Sequence, residues 1–396
     1  MNPFKKKNAA RLALGAVLVA FVVKMLVVIA TEGAEPLSAA DAPSEGNSSI
    51  GAVNFVQKGF WRGTGLPDYN IAFNLDSPSK PILESPFYAH YFPGPDYVLA
   101  LTYGLFGTGR AVFQWTRLIP LAHVVLAMLF FLWAAERRVW RGNRWVAPFV
   151  ALFVLFAPAM RPWAVGLHGH AYSSAYILTG LGLGLIAGER RYRFEALAAA
   201  AFAIGFVSNY MLLTGAFAVF GAPLVGGLLA AEKPGDCCGW RGGAVLAFVA
   251  GVGLAAGFGT HFAQVAAQFT AHDAWIDLTG TMGNRMAKLA YEPSRVQLLG
   301  QYSNHVYGFW GVSSLAMLLL GALAGWLHPG AKAYRRNLFL AVLVGGLASY
   351  GWIMVMKNHS IGHPHVNPRV FLVMYAAFVS VLGALAAERM GASARR

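Results

Sequence analysis

The run Leu12-Ala-Leu-Gly-Ala-Val-Leu-Val-Ala-Phe-Val-Val-Lys-Met-Leu-Val-Val-Ile-Ala30 is 19 residues long and carries a single charge, Lys24. A helix rising 1.5 Å per residue needs about 20 mostly apolar residues to cross a hydrocarbon core, so this run reads as a membrane span. Lys24 lies close enough to the outer end for its stem to stay in lipid while the ammonium reaches the interface. Lys5, Lys6 and Lys7 precede the run and small residues follow it, a pattern shared with secretory signals. The run is longer than the usual signal core, which favours an anchor.

Working outward, similar runs recur at 115–134, 145–160, 171–188, 194–208, 212–230, 243–260, 308–327, 338–356 and 369–387. Each is expected to be helical, because lipid offers no partner to an unpaired backbone group. The composition agrees: 57% of residues are hydrophobic and only 12% charged. The expected fold is an all-α polytopic membrane protein of about ten transmembrane helices, forming one membrane domain over residues 1–396. Two non-cytoplasmic elaborations interrupt it: a large outer loop over 31–114 carrying short interfacial helices, and a second over 261–306.

Ten spans return both termini to one side. Of the 31 lysines and arginines, 19 fall in the N-terminus, 135–144, 189–193, 231–242, 328–337 and the C-terminus. The positive-inside rule makes that side cytoplasmic. The net charge of +14 is thus mostly a topology signal, and no nucleic-acid partner is expected. The adjacent pair Cys237-Cys238 has no second pair to match a disulfide or zinc framework and reads as incidental thiols. Gly180, Gly184 and Gly188, four residues apart, read as a close helix–helix contact.

Function is sought on the outer face. The 84 residues 31–114 hold eight carboxylates and the peptide Ser85-Pro-Phe-Tyr-Ala-His-Tyr-Phe-Pro-Gly-Pro-Asp-Tyr97. Residues 50–60 suit a short helix, and the apolar segment 96–106 is too short to span and suits an interfacial one. Two more polar constellations face outward, Arg161-Pro-Trp-Ala-Val-Gly-Leu-His168-Gly-His170 and Lys357-Asn-His359-Ser-Ile-Gly-His363-Pro-His365-Val-Asn-Pro-Arg369. Arg369 opens an apolar span, where an ionised group is costly unless paired, hydrated or functional. With Lys357, His363 and His365 it fits a phosphate or pyrophosphate, arginine supplying a bidentate fork. Arg161 is a further candidate for the same anion. Interfacial anchoring is the plainer alternative, and metal binding a third: His168 and His170, or His363 and His365, are His-x-His pairs. Glu45, Asp96, Asp273 and Asp277 would instead suit a hard divalent cation, so a divalent cation is the one cofactor the residues suggest.

The first span, the acidic loop, Tyr91-Phe-Pro-Gly-Pro-Asp-Tyr97, the helix ending Leu105-Phe106-Gly107 and Arg117 opening the next span together resemble the C-type membrane glycosyltransferases. That superfamily includes aminoarabinose, protein-mannosyl and arabinofuranosyl transferases. The resemblance covers 31–135 and, through the His-rich loop, 357–387. Family members carry an acidic pair after the first span, a small residue seven positions on and a glycine fourteen on; here Ser44-Glu45, Ala52 and Gly59 fall in that register. Ser44 departs from the pattern, leaving Glu45 or Asp41 to act.

The resemblance implies a polyprenyl-phosphate-linked sugar as donor, a lipid, glycan or protein acceptor, and hexosyl or pentosyl transfer at the outer face of a bacterial inner membrane. Such a displacement needs a carboxylate to take the acceptor's proton and a clamp on the departing phosphate. Glu45, with Asp41 and Asp96 as alternatives, is the expected base. Arg369 with Lys357 or His365 is the expected clamp, and Trp61, Tyr88, His90, Tyr91 and Trp163 the expected walls. A transporter or lipid flippase is the rival, for which intramembrane charge would be the mark; Lys24 is the one clear case. A non-catalytic protein of the same fold is a third reading, favoured by Ser44.

Overall fold

Residues 12–30 lie inside one helix, Pro3–Glu32. The structure is a computed structural model. It describes residues 3–37, 42–72, 74–75, 77–90, 92–140, 142–157, 160–167, 172–187, 192–207, 216–230, 238–286, 294–303, 313–362 and 370–393. Among these no strand occurs; Asp68 and Phe87 form an isolated bridge.

Each of the ten expected spans falls on a helix, but the helices divide by length. Asn8–Glu32, Arg110–Arg138, Trp240–Gln268, Lys332–Val355 and Leu372–Met390 are long and apolar enough to cross a membrane. Val146–Leu155, Ser173–Ile186, Phe194–Gly205, Phe217–Ala230 and Ser314–Trp326 are apolar but have only 10–17 residues. At 1.5 Å per residue they reach roughly 15–25 Å, less than a hydrocarbon core of about 30 Å. Length and composition therefore support five crossings of the ten. Five long apolar helices fit an integral membrane protein.

The core of the bundle joins Phe21, Met25 and Ile29 of the first helix to Val124, Met128 and Phe131, and to the closely buried run Phe371–Tyr375. Small residues set its tightest contact. A Cβ added at Gly184 would overlap the Pro223 carbonyl, and one at Gly180 would come within 3.2 Å of Ala222. Gly188 lies outside the described residues.

Above one end of the bundle sits a cap built from both expected outer loops. The expected helix over 50–60 is longer, Ala42–Lys58, and the helix expected to be interfacial runs Gly94–Phe106. Glu45 in the first turn of the former favours the earlier start, since a carboxylate is stabilised at a helix N-terminus. Gly107, at φ +90°, ends the latter with a conformation that side chains rarely adopt. The two helices pack through Ala52, Leu99 and Tyr103, with Phe113 and Leu167 beneath.

Between them the loop is organised by buried Asn74. Its amide donates to the carbonyls of Ile82 (2.8 Å), Ser85 (3.1 Å) and Phe87 (3.0 Å) and accepts from the Ala89 N–H (3.1 Å). The second outer segment closes onto this loop. Leu66, Ile82 and Ala89 share a core with Val265 and Ala274. Thr64 Oγ1 donates to the Gln264 carbonyl (3.0 Å), and Gln264 Nε2 donates back to the Thr64 carbonyl (3.3 Å). Ser79 Oγ donates to Asp273 (2.9 Å).

Candidate active site

Where the cap meets the bundle, Arg117 is wholly buried, and it faces Glu45, which is 1% exposed. Nη1 donates to Glu45 Oε1 (3.0 Å) and Nη2 to Oε2 (2.9 Å), the parallel fork that a guanidinium makes with a carboxylate. The remaining donors go to the carbonyls of Gly33 (2.9 Å), Val165 (2.9 Å) and Glu35 (2.9 Å). A guanidinium has five N–H groups, so every one is used. Glu45 also accepts from the N–H of Leu37 (3.0 Å) and of Leu167 (2.9 Å). That makes four bonds for the four lone-pair sites of a carboxylate.

The chemical consequence is direct. Glu45, the expected base, has no oxygen site left to receive a proton, and a positive charge is fixed against it. It is placed as a tie between the end of the first helix, the start of Leu118–Arg138 and the turn after Met160–Val165. Arg110 pairs with Glu35 and Arg161 with Glu32 around the same junction. Gln114 Nε2 donates to the Ile29 carbonyl (2.7 Å) at the end of the first helix. Arg161, expected to hold phosphate, thus meets a carboxylate.

Asp96 has a different setting. It lies in the first turn of Gly94–Phe106 and is 4% exposed. Among the described residues its Oδ1 has no hydrogen-bond partner. Burial pushes its carboxyl up from 3.8 to about 7, against the opposing hydrogen bonds from Ser48 and its own backbone N–H. A Cβ added at Gly51 would lie 3.4 Å from Oδ1 and 2.9 Å from both Pro67 Cβ and Tyr69 Cε1. Tyr69 is held well above its ordinary value, first by burial and then by the Asp96 charge.

From Tyr69 a line of rings leads toward the second outer segment. Tyr69 and Tyr88 stand 5.2 Å apart, Tyr88 and His90 5.4 Å. His90 Nδ1 lies 3.1 Å from Asp277 Oδ2, both side chains being buried. His261 Nε2 meets the Ala89 carbonyl at 3.0 Å. On the other side, Tyr97 donates to the Gly65 carbonyl (2.7 Å) and packs on Phe55, Phe60 and Phe92. Burial raises the Tyr97 hydroxyl to about 12.

The expected walls therefore separate. Tyr88 packs on Tyr69, and His90 on Tyr88. Trp61 is instead 81% exposed, because the 3₁₀ turn Phe60–Gly63 directs Phe60 inward onto Tyr97 and its successor outward. Tyr91, Asp41, His168, His170, His363, His365 and Arg369 lie outside the described residues, as does the side chain of Trp163. Of the expected phosphate clamp only Lys357 and Arg161 are described, and Arg161 pairs with Glu32. Lys357 begins the helix Lys357–Gly362, tied to Ala271–Met286 where Asn358 Nδ2 donates to the Asn284 carbonyl (2.7 Å).

The four carboxylates considered for a divalent cation are engaged at separate places. Glu45 meets Arg117, Asp277 meets His90, and Asp96 meets Ser48. Asp273 accepts from Thr270 (2.6 Å) and Ser79 (2.9 Å), which hold its carboxyl below the usual range. Among the described residues no three His, Cys, Asp or Glu side chains gather as metal ligands.

Sequence reasoning passed over Tyr69, Ser48 and the partner of Glu45. Arg117 carried a usable signal, since it opens an apolar span just as Arg369 does.

No protein-family model matches the chain, and no curated protein does. Among solved structures the chain is similar to the Archaeoglobus fulgidus oligosaccharyltransferase, in its complex with zinc and sulfate and in its apo form. Both comparisons have 14% identity and a TM-score of 0.44, and they cover 93% and 94% of this chain. They cover 48% and 50% of that protein, so this chain spans about half its length.

Proposed function

We propose that the chain is a membrane glycosyltransferase that moves a sugar from a polyprenyl-phosphate donor to an acceptor on the non-cytoplasmic face, with Asp96 as its base. The observation that carries this reading is the Asp96 carboxyl, buried in the cap, open at Oδ1 and poised at about 7. A general base works best when its pKa lies near the operating pH. The register Glu45, Ala52 and Gly59 after the first span, and the long apolar helices beneath the cap, support the same class.

In the reaction the acceptor hydroxyl gives its proton to Asp96 as its oxygen bonds to the anomeric carbon. The bond from that carbon to the phosphate oxygen breaks, and polyprenyl phosphate leaves with the electron pair. Arg369, Lys357, His363 and His365 stabilise the leaving phosphate. Glu45 is assigned a structural part, holding the cap to the bundle through Arg117. Substrate entry is assigned to the side of Gly51, where an added Cβ would lie 3.4 Å from Oδ1.

A non-catalytic lipid-sugar binder of the same architecture is the second reading, favoured by Ser44 and by the saturation of Glu45. Turnover separates the two. Full-length protein in nanodiscs, given a polyprenyl-phosphate-linked sugar and a mixed acceptor pool, should release polyprenyl phosphate, and Asp96→Asn should slow release by about 10²- to 10⁴-fold. Donor binding without release in the natural chain would establish the binder instead.

A further inference from the structure

One face of the cap is apolar and, among the described residues, uncovered. Trp61 is 81% exposed and meets Phe60 edge to face at 4.9 Å, and Phe60 meets Tyr97 at 5.1 Å. Tyr97, Leu101 and Leu105 follow one another at four-residue spacing on Gly94–Phe106 and so share one stripe of that helix. Leu101 and Leu105 are 66% and 67% exposed, whereas Asp96, Leu99 and Tyr103 form the buried stripe on the other side. From Trp61 through Phe60 and Tyr97 to Leu101 and Leu105 the apolar strip is about 20 Å long, two ring contacts followed by the rise of two helical turns.

Both ends of the strip are tied to the cap-side ends of helices long enough to cross a membrane. The Tyr97 hydroxyl accepts from Gln264 Nε2 (3.2 Å), and Gln264 lies close to the end of Trp240–Gln268. Leu105 comes just before Arg110, which opens Arg110–Arg138. Early in that second helix, Gln114 Nε2 donates to the carbonyls of Ile29 (2.7 Å) and Ala30 (3.1 Å), close to the end of Asn8–Glu32. Helices that cross one bilayer end near one level, so a strip fixed to two of those ends runs along the membrane plane. At that level the medium beside the protein is the headgroup boundary of the leaflet, which suits both a tryptophan ring and the apolar face of a short helix.

We infer that this strip seats the cap on the leaflet at its own side, with Trp61 and the Leu101–Leu105 stripe as the inserted groups. The contact stands on the fold and does not rest on the transfer reaction proposed above. The test is fluorescence quenching by acyl-brominated phosphatidylcholine in nanodiscs that each hold one copy of the full chain. The Trp61 signal is the difference between the natural chain and Trp61→Phe; the helix signal is the gain on Leu105→Trp, a site open enough to take the larger ring. Groups inserted about 5–10 Å into the boundary should lose about half or more of each signal to bromines near the headgroup end of the acyl chain, and less to bromines near the methyl end. No quenching of either signal refutes the inference, and it is the result expected if another protein or a second copy of the chain covers the strip. Stronger quenching from the methyl end than from the headgroup end also refutes it, since the strip would then lie in the hydrocarbon as a span does. Should Leu105→Trp fail to fold, Leu101→Trp reads the same stripe under the same criteria.

Discussion

Glu45 and Asp96 occupy the same kind of position and behave oppositely. Each lies in the first turn of a helix, the two helices pack against each other, and both carboxylates are shielded from water. One accepts four hydrogen bonds, two of them from a guanidinium; the other has Ser48 and its own backbone N–H for donors and, among the described residues, an open oxygen. Burial alone disfavours charge, and a fixed opposite charge offsets that. The cap thus contains one carboxylate that holds structure and one that is free to titrate near neutrality. Position along a helix distinguishes neither, and the neighbour 72 residues away decides.

The sharpest way to break this contrast is Glu45→Gln. It strands Arg117 as a buried charge, and should cost about 3–5 kcal/mol of stability, seen as a lowered unfolding midpoint in detergent. A midpoint equal to that of the natural chain would show that Glu45 is dispensable to the fold.

Next comes the pH dependence of Asp96, which should act in opposite directions on stability and rate. Its folded value, about 7, lies above its ordinary 3.8. Between those values the folded state holds a proton that the unfolded state has lost. Stability should therefore fall by up to about 1.4 kcal/mol per pH unit across that window and level off above it. Turnover should rise through the same window as the base becomes free. Asp96→Asn should remove its share of the slope, measured by unfolding at several pH values; an unchanged slope would assign the titration elsewhere.

A smaller effect is expected from Gly51→Ala. Its methyl group would crowd Pro67 and Tyr69 at 2.9 Å, costing about 1–3 kcal/mol. Unfolding should report that cost, and turnover should drop with it if Oδ1 is reached from this side. The mildest is Ser48→Ala, which removes a hydrogen bond to the Asp96 carboxylate and should move the pH–rate midpoint upward by about one unit. A downward movement would contradict the assignment.

Much of the membrane part was legible because uncharged runs are long, and each coincided with a helix. The number of complete crossings was not, since apolar content does not fix where a helix stops: Val146–Leu155 ends after ten residues of an expected sixteen. In the cap, the helix Gly94–Phe106 followed from local sequence, as the apolar segment 96–106. The ion pair did not. Arg117 and Glu45 meet only through folding, and nothing near either residue names the other. The cost of a charge at the mouth of a span was recognised at Arg369, and the same reasoning applied to Arg117 would have asked for a buried acid. The register that pointed to Glu45 could not tell a clamped carboxylate from an open one. Trp61 shows the opposite failure, a large aromatic whose type suggested a wall but whose turn directs it outward.

The reciprocal bonds between Thr64 and Gln264 join residues 200 positions apart. At about 5–20 residues per second a ribosome takes roughly 10–40 s to make the intervening chain. For that interval the first outer segment exists without the helix that closes it, and the surface around Leu66, Ile82 and Ala89 is uncovered. Maturation of the cap is thereby timed by synthesis of the middle helices, and a nascent chain stalled before Gln264 would carry a finished anchor and an unfinished cap.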